Sequence, residues 1–154
     1  IMPHPANFAP IAAIALFGGA ILPRKLAITV PLSAMIISDL LIGLHPTIMF
    51  TWGSFALIAL FSSAKFKHIT PLAVIGSSLG ASVLFYLVTN FGVWVEGRLY
   101  AHTFSGLAQS YYNALPFFRN TLLGDVIFTS ALFGLYATSQ YLAKVQLRTK
   151  SLAK

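Results

Sequence analysis

A chain of 154 residues that is 57% hydrophobic and only 8% charged, with a mean hydropathy of +0.81, is too apolar for a soluble globular domain. Its apolar runs recur at the length of bilayer spans, so it reads as one integral membrane domain with no room for a soluble catalytic or nucleotide-binding unit. The net charge of +7 sits in short loops and a tail, where anionic headgroups and topology account for it better than nucleic acid does; the absence of cysteine excludes disulfides, thiolate chemistry and Cys-ligated metals.

The expected fold is an all-α polytopic bundle. The first predicted span, about 8–22, follows the proline-stiffened PHPANF and carries two small-xxx-small pairs, Ala9 with Ala13 and Ala15 with Gly19, which permit close helix approach. Pro23-Arg24-Lys25 ends it. The second, about 26–44, is interrupted only by Pro31 and Asp39, and His45-Pro46-Thr47 turns the chain into a third at 48–63. After the basic Lys65-Phe66-Lys67-His68, the fourth span, 71–94, contains Gly76-x-x-x-Gly80 among serines and reads as a packing face. The stretch 105–118 would be about 21 Å long as a helix, short of a hydrocarbon core of about 30 Å. It is therefore expected as a separate interfacial or re-entrant helix, a lid. The last predicted span is 120–143, followed by a basic tail at 144–154.

Charge sets the expected topology. If the lid does not cross, Arg24, Lys25, Lys65, Lys67, Lys144, Arg148, Lys150 and Lys154 fall on one side, and only Arg98 and Arg119 on the other. The positive-inside rule then favours five spans with the tail cytoplasmic. An odd count puts Ile1 outside. Ile is no initiator, so either Met2 is the true start or the beginning of the chain is missing. The odd count suits a further N-terminal helix, which would give six spans with both ends inside.

This topology draws the polar residues to the outer face. At 100° per residue, Thr121, Asp125, Thr129, Tyr136, Ser139 and Gln140 share one stripe of the last span; Thr29, Ser33, Asp39 and Gly43 share one of the second; Gly76, Gly80, Asn90 and Trp94 share one of the fourth. These stripes are expected to face one another rather than lipid. Two readings of Asp39 and Asp125 stay open: they line a cavity, or they pair with Arg119 or cap helix ends and hold the bundle. Trp52 and Tyr100 suit an interfacial belt, whereas Tyr111-Tyr112-Asn113 beside Trp94 suits a ligand site. His4, His45 and His102 raise a metal alternative, although none has ligand spacing. Glu96 and Arg98 read as a solvated pair. No phosphate loop, nucleophilic triad, HExxH or catalytic carboxylate pair is present, and no cofactor is implied.

The runs PHPANFAPIAAIALFGGA, PLSAMIISDLLIGLHP, TNFGVW and YYNALPFFRNTLLGD together resemble an uncharacterised bacterial family of small membrane proteins similar to the substrate-binding (S) components of energy-coupling-factor transporters. The resemblance implies a six-helix bundle in the cytoplasmic membrane, cytoplasmic ends and an outward-opening pocket. It also implies a small-molecule ligand, vitamin-like or a precursor, and a transmembrane coupling partner with ATPases. Its motif positions here are Asn7, Asp39, Asn90, Trp94, Asn113, Arg119, Asn120 and Asp125; the residue-based reading adds His45, Tyr111 and Tyr112. S components dock through an Ala-x-x-x-Ala surface on their first helix, which would precede this chain; here Ala9 and Ala13 supply that spacing on a different helix. The competing expectation is a structural scaffold of the type of the cell-shape protein MreD, with its core packed shut; a membrane enzyme is the third.

Overall fold

The computed structural model describes residues 7–65 and 69–152, with the side chains of 64, 65 and 152 excepted; His4, Lys67, Lys154 and most of PHPANF lie outside the described residues. The chain forms five helices, α1 (Ile11–Ile21), α2 (Arg24–Ile42), α3 (Ile48–Lys65), α4 (Pro71–Glu96) and α5 (Phe104–Leu152), and no strand occurs among the described residues. Three stretches, Arg24–Ile42, Pro71–Glu96 and Phe104–Ser151, are long and apolar enough to cross a membrane; Ile11–Ile21 and Ile48–Ser63 are shorter apolar helices. That is the composition of a helical membrane protein.

Local sequence sets the breaks. Extended Leu22 and Pro23 separate α1 from α2, with Pro23 fixing the backbone just before the first helical turn. Gly43 ends α2 at φ +125° and Gly97 ends α4 in the left-handed region at φ +69°, conformations that side chains with a Cβ resist. Thr70 starts α4 by accepting from the Ala73 amide at 3.2 Å, with Pro71 at the first helical position.

Short turns then stack the helices up and down, with α1 at the centre in contact with all four others. Its small residues make this possible. Ala12, Ala13, Ala15, Leu16, Gly18 and Gly19 are buried. A Cβ at Gly19 would lie 2.5 Å from the Ala59 carbonyl oxygen, so α1 and α3 touch backbone to backbone. The Ser62 hydroxyl donates to the Leu16 carbonyl at 2.5 Å and ties the same crossing. Phe17 packs edge-on against Phe133 and Tyr136, and Phe8 packs tilted against Phe128, so α5 runs parallel to α1; the Tyr86–Tyr111 and Ser82–Asp125 bonds show that it runs antiparallel to α4.

Two sequence expectations change here. The separate lid does not form: 105–118 and 120–143 belong to one helix of 49 residues, about 74 Å long. Judged alone, 105–118 is short and polar, but its polar groups find partners on α4. Tyr111 OH donates to the Leu87 carbonyl at 2.9 Å and Tyr86 OH to the Tyr111 carbonyl at 2.6 Å. Ser110 Oγ, which donates to the Leu107 carbonyl of its own helix at 2.8 Å, lies 3.3 Å from the Asn90 carbonyl. Pro116 is exposed on α5, and the helix continues through it. From residue 137 to 151 α5 is exposed on every side and projects beyond the other helices.

The polar stripes also differ. On α2, Thr29, Ser33 and Gly43 are exposed while Ala27, Pro31 and Asp39 face inward. On α4, Gly76 and Gly80 look into open space, and Ser78 and Ser82 are the small residues packed in the bundle. On α5 the expected stripe holds for Thr121, Asp125 and Thr129, which are buried; Ser139 and Gln140 lie on the exposed projection. A helix apolar on all sides gives periodicity little to work on, and packing decides which face is inside.

Candidate functional site

Where α1, α3 and α5 begin and α2 and α4 end, the helices do not close on one another. They leave a cavity of about 460 Å³. Each helix contributes to its wall: Asn7, Ala9 and Ala12 from the α1 end, Met35 from α2, His45 and Thr47 from the turn, and Thr51 and Phe55 from α3. The long helices add Tyr86, Thr89 and Asn90 from α4, and Ala114, Phe118, Thr121 and Asp125 from α5.

The polar wall is partly self-satisfied. His45 Nδ1 and Thr47 Oγ1 are 3.1 Å apart, the Thr51 hydroxyl donates to the Thr47 carbonyl at 3.3 Å, and the Asn90 amide donates to the Tyr86 carbonyl at 2.8 Å. The remaining oxygen of the Asn90 side chain and the ring of His45 stay available to a guest. The apolar wall is aromatic. Phe55 stacks on Phe85 with centroids 5.2 Å apart, and Tyr86 lies against Phe118 at 4.4 Å.

Asp125 lines this cavity and is only 2% exposed. The Ser82 hydroxyl lies 2.6 Å from its carboxylate and 3.1 Å from the Ser78 carbonyl; one proton serves one acceptor at a time, and the shorter, charge-assisted bond is the stronger. One helical turn further along the same two helices, Ser78 Oγ and Thr129 Oγ1 are buried without a hydrogen-bond partner. The α4–α5 seam is therefore polar well below the cavity.

Of the residues singled out from sequence, the cavity gathers Asn7, His45, Asn90 and Asp125. Asp39 is elsewhere. It is 7% exposed and accepts the Trp52 indole N–H at 2.7 Å, fastening α2 to α3. Trp94 donates to the Ala101 carbonyl at 3.0 Å and packs against the His102 ring, closing the α4–α5 connection. Tyr111 packs on Tyr86 outside the lining, Tyr112 is 73% exposed, and the Asn113 amide reaches Tyr100 OH at 3.2 Å. Asn120 is half-buried and outside the lining, and Arg119 is exposed, with no ion pair to Asp39 or Asp125. Glu96 and Arg98 form the expected pair at 2.7 Å. His45 and His102 are not brought together, and no group of three metal-ligating side chains occurs among the described residues.

Sequence reasoning missed the α3 contribution, Thr51 and Phe55, and the Phe85–Tyr86 pair. One signal was available: Thr47 and Thr51 are a turn apart and directly follow His45. Comparison with curated proteins and with solved structures gives no match. A family match, by contrast, runs over residues 1–147 and takes in every helix that walls the cavity: the chain belongs to a family of unknown function, DUF6580.

Proposed function

We propose that this protein is a membrane subunit that captures a small molecule in the cavity between its five helices, in the manner of the S components of energy-coupling-factor transporters. The cavity itself carries this reading. Its volume of about 460 Å³ falls within the range of about 300–1,000 Å³ usual for small-molecule sites, and its wall is mostly apolar with a few convergent polar groups. A scaffold of the same composition would close such a space with side chains.

Topology supports capture from outside. Arg24 and Lys25, the C-terminal end of α3 and the start of α4, and Lys144, Arg148 and Lys150 all lie at the end of the bundle away from the cavity. The positive-inside rule puts that end in the cytoplasm and the cavity outside. The exposed end of α5 then projects into the cytoplasm. Ala13 is buried inside the bundle, so the Ala9–Ala13 spacing serves internal packing, and a coupling partner with ATPases would meet a different surface.

Ala114→Phe provides the test, since Ala114 lines the cavity and a benzyl group there occupies it. Wild type and variant, purified in mild detergent, are compared by mass spectrometry of co-purifying small molecules. A molecule held by the wild type and lost from a folded variant supports capture. The same lipids and nothing else in both would exclude it.

A further inference from the structure

We infer that the captured molecule carries a positively charged nitrogen, which pairs with Asp125 while its flat apolar body lies among the cavity aromatics. The inference rests on the capture reading and adds to it the charge class of the ligand.

In the sequence the charges of the cavity end nearly cancel, with Asp39, Glu96 and Asp125 against Arg98 and Arg119. The fold removes four of these five. Asp39 is outside the lining and held by Trp52; Glu96 and Arg98 neutralise each other in the α4–α5 connection; Arg119 is exposed and does not line the cavity. Asp125 is the one acid among the described lining residues, and no Lys or Arg is among them. An anionic ligand would meet a buried carboxylate with only the His45 imidazole, among the described lining residues, to offset it.

Asp125 itself is under-provided. An ionised carboxylate accepts at about four lone-pair positions, and here the Ser82 hydroxyl fills one. Neither hydroxyl one turn away on its own helix face bonds to it: Thr121 donates to the Phe117 carbonyl at 3.1 Å, and Thr129 Oγ1 has no hydrogen-bond partner. An ammonium or protonated ring nitrogen supplies the missing donors and the missing charge together. Tyr86 and Phe118, in contact with each other, line the same cavity, and aromatic faces attract cations. The stacked pair of Phe55 and Phe85 offers an apolar surface to the rest of the molecule.

The test uses three probes of one shape and different charge: tryptamine, tryptophol and indole-3-acetate, titrated calorimetrically at neutral pH into the protein in nanodiscs. Tryptamine is expected to bind about tenfold or more tightly than either of the others, the order of one charge-assisted hydrogen bond. Asp125→Asn is expected to abolish that preference, and Ala114→Phe to abolish binding of all three. If the alcohol or the acid binds as well as the amine, and Ala114→Phe still removes it, the charge assignment is wrong and capture stands. If tryptamine binding survives Ala114→Phe, the cavity is not the site, and both fall. Binding of none of the three overturns the assignment of an arylalkyl cation. The ranking of probes on the unaltered protein decides the question alone if Asp125→Asn fails to fold.

Discussion

Asp39 and Asp125 look alike in the sequence, each an acid near one end of an apolar helix, and the structure gives them different work. The Asp39 carboxylate is 7% exposed and accepts the Trp52 indole N–H at 2.7 Å, across the crossing of α2 and α3. Trp52→Phe keeps an aromatic ring and deletes the donor, leaving a buried carboxylate short of a partner. A hydrogen bond to a charged group is worth about 1.5–3 kcal/mol, so the variant should lose stability of that order. Asp39→Asn keeps an acceptor for the indole and removes a buried charge, so its cost should be smaller, about 1 kcal/mol or less. The double variant should cost clearly less than the two single changes added, because once Asp39→Asn has removed the charge, deleting the indole donor no longer strands a buried carboxylate. Unfolding midpoints in mixed detergent, read by far-UV circular dichroism for all four proteins, supply the cycle. Ligand capture should survive in Asp39→Asn. Additive single effects, within about 0.5 kcal/mol, would remove the latch. Loss of capture in Asp39→Asn with an unchanged midpoint would return Asp39 to the ligand site, against the geometry.

Two further outcomes test the frame around the site. Gly19→Val pushes side-chain atoms into the Ala59 carbonyl and Ser62, 2.5 Å from where its Cβ must stand, and should cost about 1–3 kcal/mol by thermal unfolding; a neutral result would mean that α1 and α3 are not in backbone contact. Ser105→Cys and Lys150→Cys, at the two ends of α5, should label with an impermeant maleimide from opposite sides of the membrane, Lys150→Cys only from the cytoplasm; labelling from one side would mean that α5 does not cross.

The sequence by itself determined the class of the protein and the punctuation of its chain. Apolar runs with almost no charge make helices, because only a helix satisfies its backbone internally in lipid, and Pro23, Gly43, Thr70-Pro71 and Gly97 mark the ends from local geometry alone. Small residues at Ala15 and Gly19 announced the close crossing that makes α1 central, and the Thr121–Asp125–Thr129 stripe announced the polar face of α5. The rest was decided by tertiary structure. Helices apolar all round carry little record of which side faces in, so Gly76 and Gly80 passed for a packing face when Ser78 and Ser82 are the packed pair. Whether 105–118 is a lid or the first turns of a long helix depends on partners on α4, twenty or more residues away. Which of two acids lines a cavity depends on where one indole N–H lies, and no spacing along the chain encodes that. A site formed between five helices is a property of their packing, since each helix supplies only a few side chains and the space among them exists only once all five are in place.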